Sequence, residues 1–173
     1  MAGKGQSGGP PASSPPGPPP GFGEGVPPDN ALHALGFEFT RITGDEVLGR
    51  LTVTEICCQP FKMLNGGVSA LIAESTASIG GFMASGYKRV AGVQLSINHL
   101  KPARLGDRIE AKASPIQVGR NIQVWEVQIW LMDPSTSERK DLASSARVTI
   151  LTNMSTPERV KNYEQGIKKY SKL

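Results

Sequence analysis

Cysteine is nearly absent from this chain of 173 residues: there are two, Cys57 and Cys58, and they are neighbours. Adjacent cysteines rarely bridge, because the ring they close strains the peptide between them. With no third cysteine a disulfide framework is excluded, which agrees with a reducing compartment. Histidine is as scarce. His33 and His99 show no ligand spacing to each other or to the cysteines, so no metal site is expected. No apolar run reaches the roughly 18 residues of a membrane-spanning helix, so no membrane span is expected. The start of the chain lacks a basic stretch followed by an apolar core, so no secretory signal is expected either. Charge of one sign is only slightly in excess, with 19 Lys+Arg against 15 Asp+Glu and a formal net charge of +4. The isoelectric point is near 9.2. This is not the dense basic patch of a nucleic-acid binder, and no nucleic-acid partner is expected. It suits an anionic ligand, such as one carrying phosphates.

Glycine and proline are abundant, at 20 and 14 residues. Many fall in residues 1–28, which hold almost no large apolar side chain. Such a segment cannot bury enough surface to offset its ordering entropy, and it is read as a disordered tail. One domain is expected over residues 29–154, followed by a polar, lysine-rich tail over 155–173. The chain ends Ser171-Lys172-Leu173. At a free carboxyl terminus this tripeptide is the peroxisomal import address. The expected location is therefore the peroxisome, and an expected partner is its import receptor.

Within the domain, Asp29 or Asn30 can cap a short helix through Leu35, with Gly36 as its stop. Phe37–Thr43 and Val47–Thr54 alternate like two strands of a hairpin, with Gly44-Asp45 between them. A long helix is predicted from about Gly67 to Ser85. Four strand-like runs follow: Val90–Leu100, Arg108–Val118, Ile122–Met132 and Asp141–Leu151. The turn signals Pro102 with Gly106-Asp107, Gly119-Arg120-Asn121 and Asp133-Pro134-Ser135 separate them. A hairpin, one long helix and then an antiparallel meander make an α+β architecture. The helix lacks a polar face over much of its circumference, so the sheet should wrap it.

The chemistry concentrates in Gln59-Pro60-Phe61-Lys62-Met63-Leu64-Asn65-Gly66-Gly67-Val68-Ser69-Ala70-Leu71-Ile72-Ala73-Glu74-Ser75. It reads as a strand end, a Gly-Gly turn and then a slim helix interrupted by one carboxylate, Glu74. A lone ionisable group among small apolar neighbours is costly to bury unless something uses it. The alternative is a solvated helix-surface glutamate. The turn leaves the N–H groups of Gly66 and Gly67 free at a helix N-terminus, where developing negative charge is stabilised. A carboxylate and an oxyanion site are parts for acyl transfer. Ser78, four residues after Glu74, shares its face. Gln59 can hold a carbonyl or a water, or be an ordinary loop residue. Asn65 reads as an N-cap or as a donor to a ligand. His99 lies at a strand end, where it is structural, exposed or part of a site. Lys101, Arg104, Arg108 and Arg120 gather near turns that phosphates could meet.

These stretches, with Ala91-Gly92-Val93-Gln94-Leu95-Ser96-Ile97-Asn98-His99-Leu100-Lys101 and Val118-Gly119-Arg120-Asn121-Ile122-Gln123-Val124-Trp125, resemble the hot-dog-fold acyl-CoA thioesterases over about residues 32–151. The resemblance is strongest to the 1,4-dihydroxy-2-naphthoyl-CoA thioesterases of plant peroxisomes and their bacterial relatives. These lie near the 4-hydroxybenzoyl-CoA thioesterases that carry the carboxylate on the central helix. It implies a curled antiparallel sheet of about six strands around one helix, and hydrolysis of an acyl-CoA without a cofactor. The acyl-CoA implied is the dihydroxynaphthoyl thioester of phylloquinone biosynthesis.

By that resemblance Glu74 is the catalytic carboxylate, as nucleophile or as general base. Gly66 polarises the thioester carbonyl, Gln59 places the carbonyl or water, and Ser78 supports the hydrolytic step. Gly67, Gly92, His99, Leu100, Lys101, Pro102, Val118, Gly119, Arg120, Asn121 and Ile122 line the CoA and acyl channel. The family usually has His immediately before Gly-Gly, and this chain has Asn65, which can donate a hydrogen bond but cannot titrate. Other readings are a peroxisomal fatty acyl-CoA thioesterase of broad specificity, a non-catalytic acyl-CoA-binding protein and a hydratase on the same fold. The slim helix also implies a homodimer or homotetramer with sites at subunit borders.

Overall fold

The computed structural model describes residues 27–155 and 163–171. Helix α1 (Asn30–Ala34) starts at Asp29, whose carboxylate accepts from the Leu32 N–H at 2.8 Å. Gly36 stops it at φ +82°. Strands β1 (Glu38–Ile42) and β2 (Val47–Thr52) form the predicted hairpin. Thr43 Oγ1 accepts from the Glu46 N–H across its turn. Helix α2 (Gly66–Ala84) follows, then β3 (Arg89–His99), β4 (Arg108–Val118), β5 (Ile122–Met132), β6 (Arg139–Met154) and helix α3 (Tyr163–Tyr170).

All six strands belong to one antiparallel sheet of order β1-β2-β4-β5-β6-β3. This corrects the expected four-strand meander. Only β4, β5 and β6 run as one, while β3 crosses to the far edge and pairs with β6, Leu95 opposite Val148. Period-2 alternation places side chains on faces but names no neighbour. Here α2 lies across the concave face, in contact with β2 through β6. The strand that leaves its C-terminal end emerges beyond β6, and β4 takes the place beside β2.

The sheet wraps α2 as expected. Strand β5 points Gln123, Trp125, Val127 and Ile129 inward, and all are buried. On the helix Ile72, Ala73, Thr76, Ala77, Ile79, Gly80, Gly81 and Phe82 are buried. Each large apolar side chain so buried contributes about 1.5–3 kcal/mol. Close approach depends on Gly80, where a Cβ would lie 2.5 Å from Trp125 Cη2. The Trp125 indole lies across this gap, and its N–H donates to Gln123 Oε1 at 2.8 Å.

The C-terminal stretch departs from the expected polar tail. Tyr163–Tyr170 forms a helix, and its Ile167 is 1% exposed, packed into the cluster that holds Phe82 and Trp125. At the other end Pro28, expected in the tail, is buried. The remainder of both predicted tails lies outside the described residues, Lys172 and Leu173 of the import address included. Ser171 caps the end of α3, its N–H donating to the Ile167 carbonyl at 2.9 Å.

Candidate active site

Helix α2 presents Glu74, Ser78 and Phe82 at four-residue spacing, along one face. Ser78 Oγ donates to Glu74 Oε1 at 2.9 Å, which orients the carboxylate. Strand β3 passes directly over it at Gly92, where a Cβ would stand 2.5 Å from the same oxygen. The pair opens into a cavity of about 530 Å³. Its walls are Ile79 and Phe82 from α2, Val90 and Ala91 from β3, Pro27 to Ala31 at the start of the described chain, and Tyr163 from α3. A carboxylate at one side of a mostly apolar chamber has the composition of an acyl pocket.

Gly66 of the diglycine bend, and not Gly67, lines a second cavity of about 360 Å³, with Gln59, His99, Leu100, Lys101, Pro102 and Ser144. Asn65 is the N-cap of α2: its side-chain oxygen accepts from the Gly67 N–H at 2.8 Å. That bond occupies Gly67 and leaves the Gly66 N–H without an acceptor among the described residues. Gly66 is therefore the free donor of the bend, at the positive end of a nineteen-residue helix. The His99 ring lies beside it, with Nε2 3.1 Å from where a Gly66 Cβ would be. Ser144 Oγ sits 3.3 Å from the other ring nitrogen, Nδ1. Gln59 Oε1 accepts from the Phe61 N–H, so the side chain's NH2 is the group left to meet a ligand. Lys101 is paired with Asp141.

The third group is placed apart from both. Val118, Gly119 and Arg120 line a cleft of about 280 Å³ with Lys88 and Ser85. Asn121 and Ile122 complete the β4–β5 turn, where the Asn121 carbonyl accepts from the Thr152 N–H at 2.8 Å. Lys88 and Arg120 give this cleft a basic rim.

One chain alone does not set Glu74 opposite the bend. The two lie eight residues apart on α2, which is about 12 Å of axial rise, and they border different cavities. Sequence reasoning put Glu74, Ser78, Gln59 and Gly66 in one catalytic set and Gly92, His99 to Pro102 and Val118 to Ile122 in one CoA and acyl channel; within a single chain the structure distributes these residues over three places. Sequence reasoning missed Tyr163, Ser144 and the α1 wall. Phe82 was legible as apolar bulk, and its spacing from Glu74 was the available signal for its place in the cavity.

A helix wrapped by a six-stranded antiparallel sheet is the hot-dog architecture. A model of the thioesterase superfamily matches residues 61–138, and the chain belongs to that family. It is 50% identical over 142 residues to 1,4-dihydroxy-2-naphthoyl-CoA thioesterase 2 of Arabidopsis thaliana, across 82% of this chain and 90% of that protein. The 1,4-dihydroxy-2-naphthoyl-CoA hydrolase of Escherichia coli strain K12 is 32% identical, across 74% of this chain and 87% of its own. Among solved structures, a thioesterase from Haemophilus influenzae superposes with a TM-score of 0.59 at 35% identity, across 70% of this chain and 80% of that one.

Proposed function

We propose that this protein hydrolyses 1,4-dihydroxy-2-naphthoyl-CoA to the free acid and CoA, a step of phylloquinone biosynthesis. The observation that carries the reaction is Glu74, held by Ser78 at the side of an apolar chamber. The acyl group rests on the likeness to the Arabidopsis relative.

A thioester carbonyl gains little resonance help from sulfur, and a thiolate leaves readily. No strong general acid is needed. Glu74 takes a proton from water as the water oxygen attacks the carbonyl carbon, or attacks that carbon itself. The carbonyl oxygen becomes an oxyanion, to which the Gly66 N–H donates. Collapse breaks the C–S bond. On the general-base route, the proton held by Glu74 passes to the CoA thiolate. On the nucleophilic route, loss of the thiolate leaves a mixed anhydride on Glu74; water then adds to it, the anhydride C–O bond breaks to give the free acid and the Glu74 carboxylate, and the proton released passes to the thiolate. Gln59 and His99, beside Gly66, place the carbonyl. Arg120 and Lys88 are suited to the phosphates of CoA.

This chemistry needs Glu74 and Gly66 together, and a second copy of the chain supplies the pairing. Strand β3 ends the sheet, and its outer edge has no partner among the described residues. Val93 on it is 60% exposed. An edge of eleven residues is a template for strand addition. Antiparallel pairing of two β3 strands centred on Ser96, each with its bulge between Gly92 and Gln94, sets Gly92 of one copy opposite His99 of the second. Glu74 lies against Gly92 and Gly66 lies against His99, so the border would gather two complete sets, one at each end of the paired strands. The assembly proposed is a homodimer, with two dimers pairing into a tetramer. Where Leu173 is the natural carboxyl terminus, the Ser-Lys-Leu signal supports peroxisomal delivery through the import receptor.

The test is release of free CoA from 1,4-dihydroxy-2-naphthoyl-CoA, followed with a thiol reagent. Glu74→Ala should lose at least about two orders of magnitude in kcat. Turnover that survives this change intact would remove Glu74 from the reaction.

A further inference from the structure

The Glu74 cavity runs along α2 and ends at Phe82, two helical turns or about 12 Å from the carboxylate. What stands beyond Phe82 is the other end of the molecule. The Tyr163 ring packs on Phe82 at 5.2 Å between centroids, tilted by 56°. Its hydroxyl donates to the Pro28 carbonyl at 2.8 Å. Both Tyr163 and Pro28 line the cavity. A side chain near the C-terminus thus ties down the segment before α1, and together they close one end of the chamber.

This closure is anchored. Ile167, one turn further along α3, is buried in the main core cluster. Lys168 stands over the Tyr87 ring at 4.7 Å, and Tyr87 packs edge-on against Phe82. Burial holds the Tyr163 phenol above the ordinary tyrosine range, and the nearby Asp29 carboxylate adds to this.

We propose that Tyr163 is a specificity-determining residue: its ring, packed on Phe82, stops the acyl pocket just beyond that side chain, which admits a compact fused-ring acyl group and turns away a long straight chain. The inference rests on the reading above that this cavity holds the acyl part of the thioester. A bicyclic aromatic acid fits within two helical turns and gains the flat faces of Phe82 and Tyr163. An extended acyl chain of sixteen carbons is longer than the pocket and would have to displace α3. Tyr163 touches the distal end of the acyl group and not the reacting carbonyl, so its removal should act through acyl preference and KM more than through kcat.

The test compares kcat/KM for three thioesters, 1,4-dihydroxy-2-naphthoyl-CoA, hexanoyl-CoA and palmitoyl-CoA, in the full-length protein. Tyr163→Ala should shift the palmitoyl-to-naphthoyl and the palmitoyl-to-hexanoyl ratios at least tenfold toward palmitoyl. KM for the naphthoyl substrate should rise while its kcat stays within a few-fold. Tyr163→Phe keeps the ring and should remain near the parent ratio. Should Tyr163→Ala fail to fold by near-ultraviolet circular dichroism, Tyr163→Leu keeps the apolar packing, opens the same space and should show the same shift. Folded variants whose ratios match the parent would overturn the proposal. If the parent protein ignores the naphthoyl thioester, the proposed substrate fails by itself, and the palmitoyl-to-hexanoyl ratio still reports whether Tyr163 ends the pocket.

Discussion

Glu74 and Gly92 share one space: Glu74 Oε1 occupies the position next to β3 from which a side chain on residue 92 would exclude it, at 2.5 Å. The carboxylate is held on one side by the Ser78 hydroxyl and on the other by bare backbone. Gly92→Ala should therefore push the carboxylate out of line while leaving the sheet paired. A displacement near 1 Å costs about a hundredfold in rate. The expected result is a kcat lowered about that much with a melting temperature within a few degrees of the parent. A fully active alanine variant would show that the carboxylate has freedom the geometry denies it.

Gly80 makes a different use of the same absence. Its missing side chain admits the fully buried Trp125 ring, and a methyl there would meet two ring carbons at 2.5 and 2.6 Å. Gly80→Ala gains helix propensity but overpacks the core. The net expected loss is about 1–3 kcal/mol, seen as a lower denaturation midpoint at unchanged slope. A stabilised variant would contradict the packing described.

Asn65 is a cap before it is anything else. Removing the Asn65 side chain frees the Gly67 N–H and costs about 1 kcal/mol of stability. Asn65→Asp keeps the acceptor and should hold its stability, while placing a negative charge beside the oxyanion donor. Its kcat should fall with little change in melting temperature. Parallel effects of the aspartate and alanine variants on both quantities would argue against separate capping and catalytic contributions of this residue.

Acid stability should follow Glu110. Its side chain is 8% exposed and accepts from Arg50 Nε and Arg139 Nε, both at 2.9 Å. Burial alone would push its carboxyl up, but the hydrogen bonds from Arg50 and Arg139 outweigh it and hold the group below the ordinary value. A carboxyl lowered in the folded state stabilises fully above its unfolded value. That stabilisation is lost as pH falls through the folded value. Melting temperature should therefore drop on acidification below about pH 4.5, and Glu110→Gln should flatten that drop. At neutral pH the variant should lose about 1 kcal/mol, because both arginines are partly exposed and screened. Identical acid profiles for parent and variant would assign the loss to other groups.

Much of the local structure was legible from residue pattern. The helix caps at Asp29 and Asn65, the hairpin turn, the slim α2 and every strand carry short-range signatures: a polar cap, a period of two, a run of small residues. The pairing of β3 with β6 has no such signature, because alternation is the same whichever strand lies alongside. The docking of α3 was hidden because Lys168, Lys169 and Glu164 dominate the composition of the segment, while one isoleucine and two tyrosines supply its buried face.

The identity of the candidate reacting groups is thus carried by the chain itself, since a carboxylate among alanines and a diglycine bend announce themselves within a few residues. Their arrangement is not. Eight residues of rigid helix hold Glu74 and Gly66 apart, and no local rule says that β3 ends the sheet or that Tyr163 returns to Pro28. Those relations join residues distant in sequence. They exist only once the sheet has closed around α2 and α3 has brought Tyr163 to Pro28.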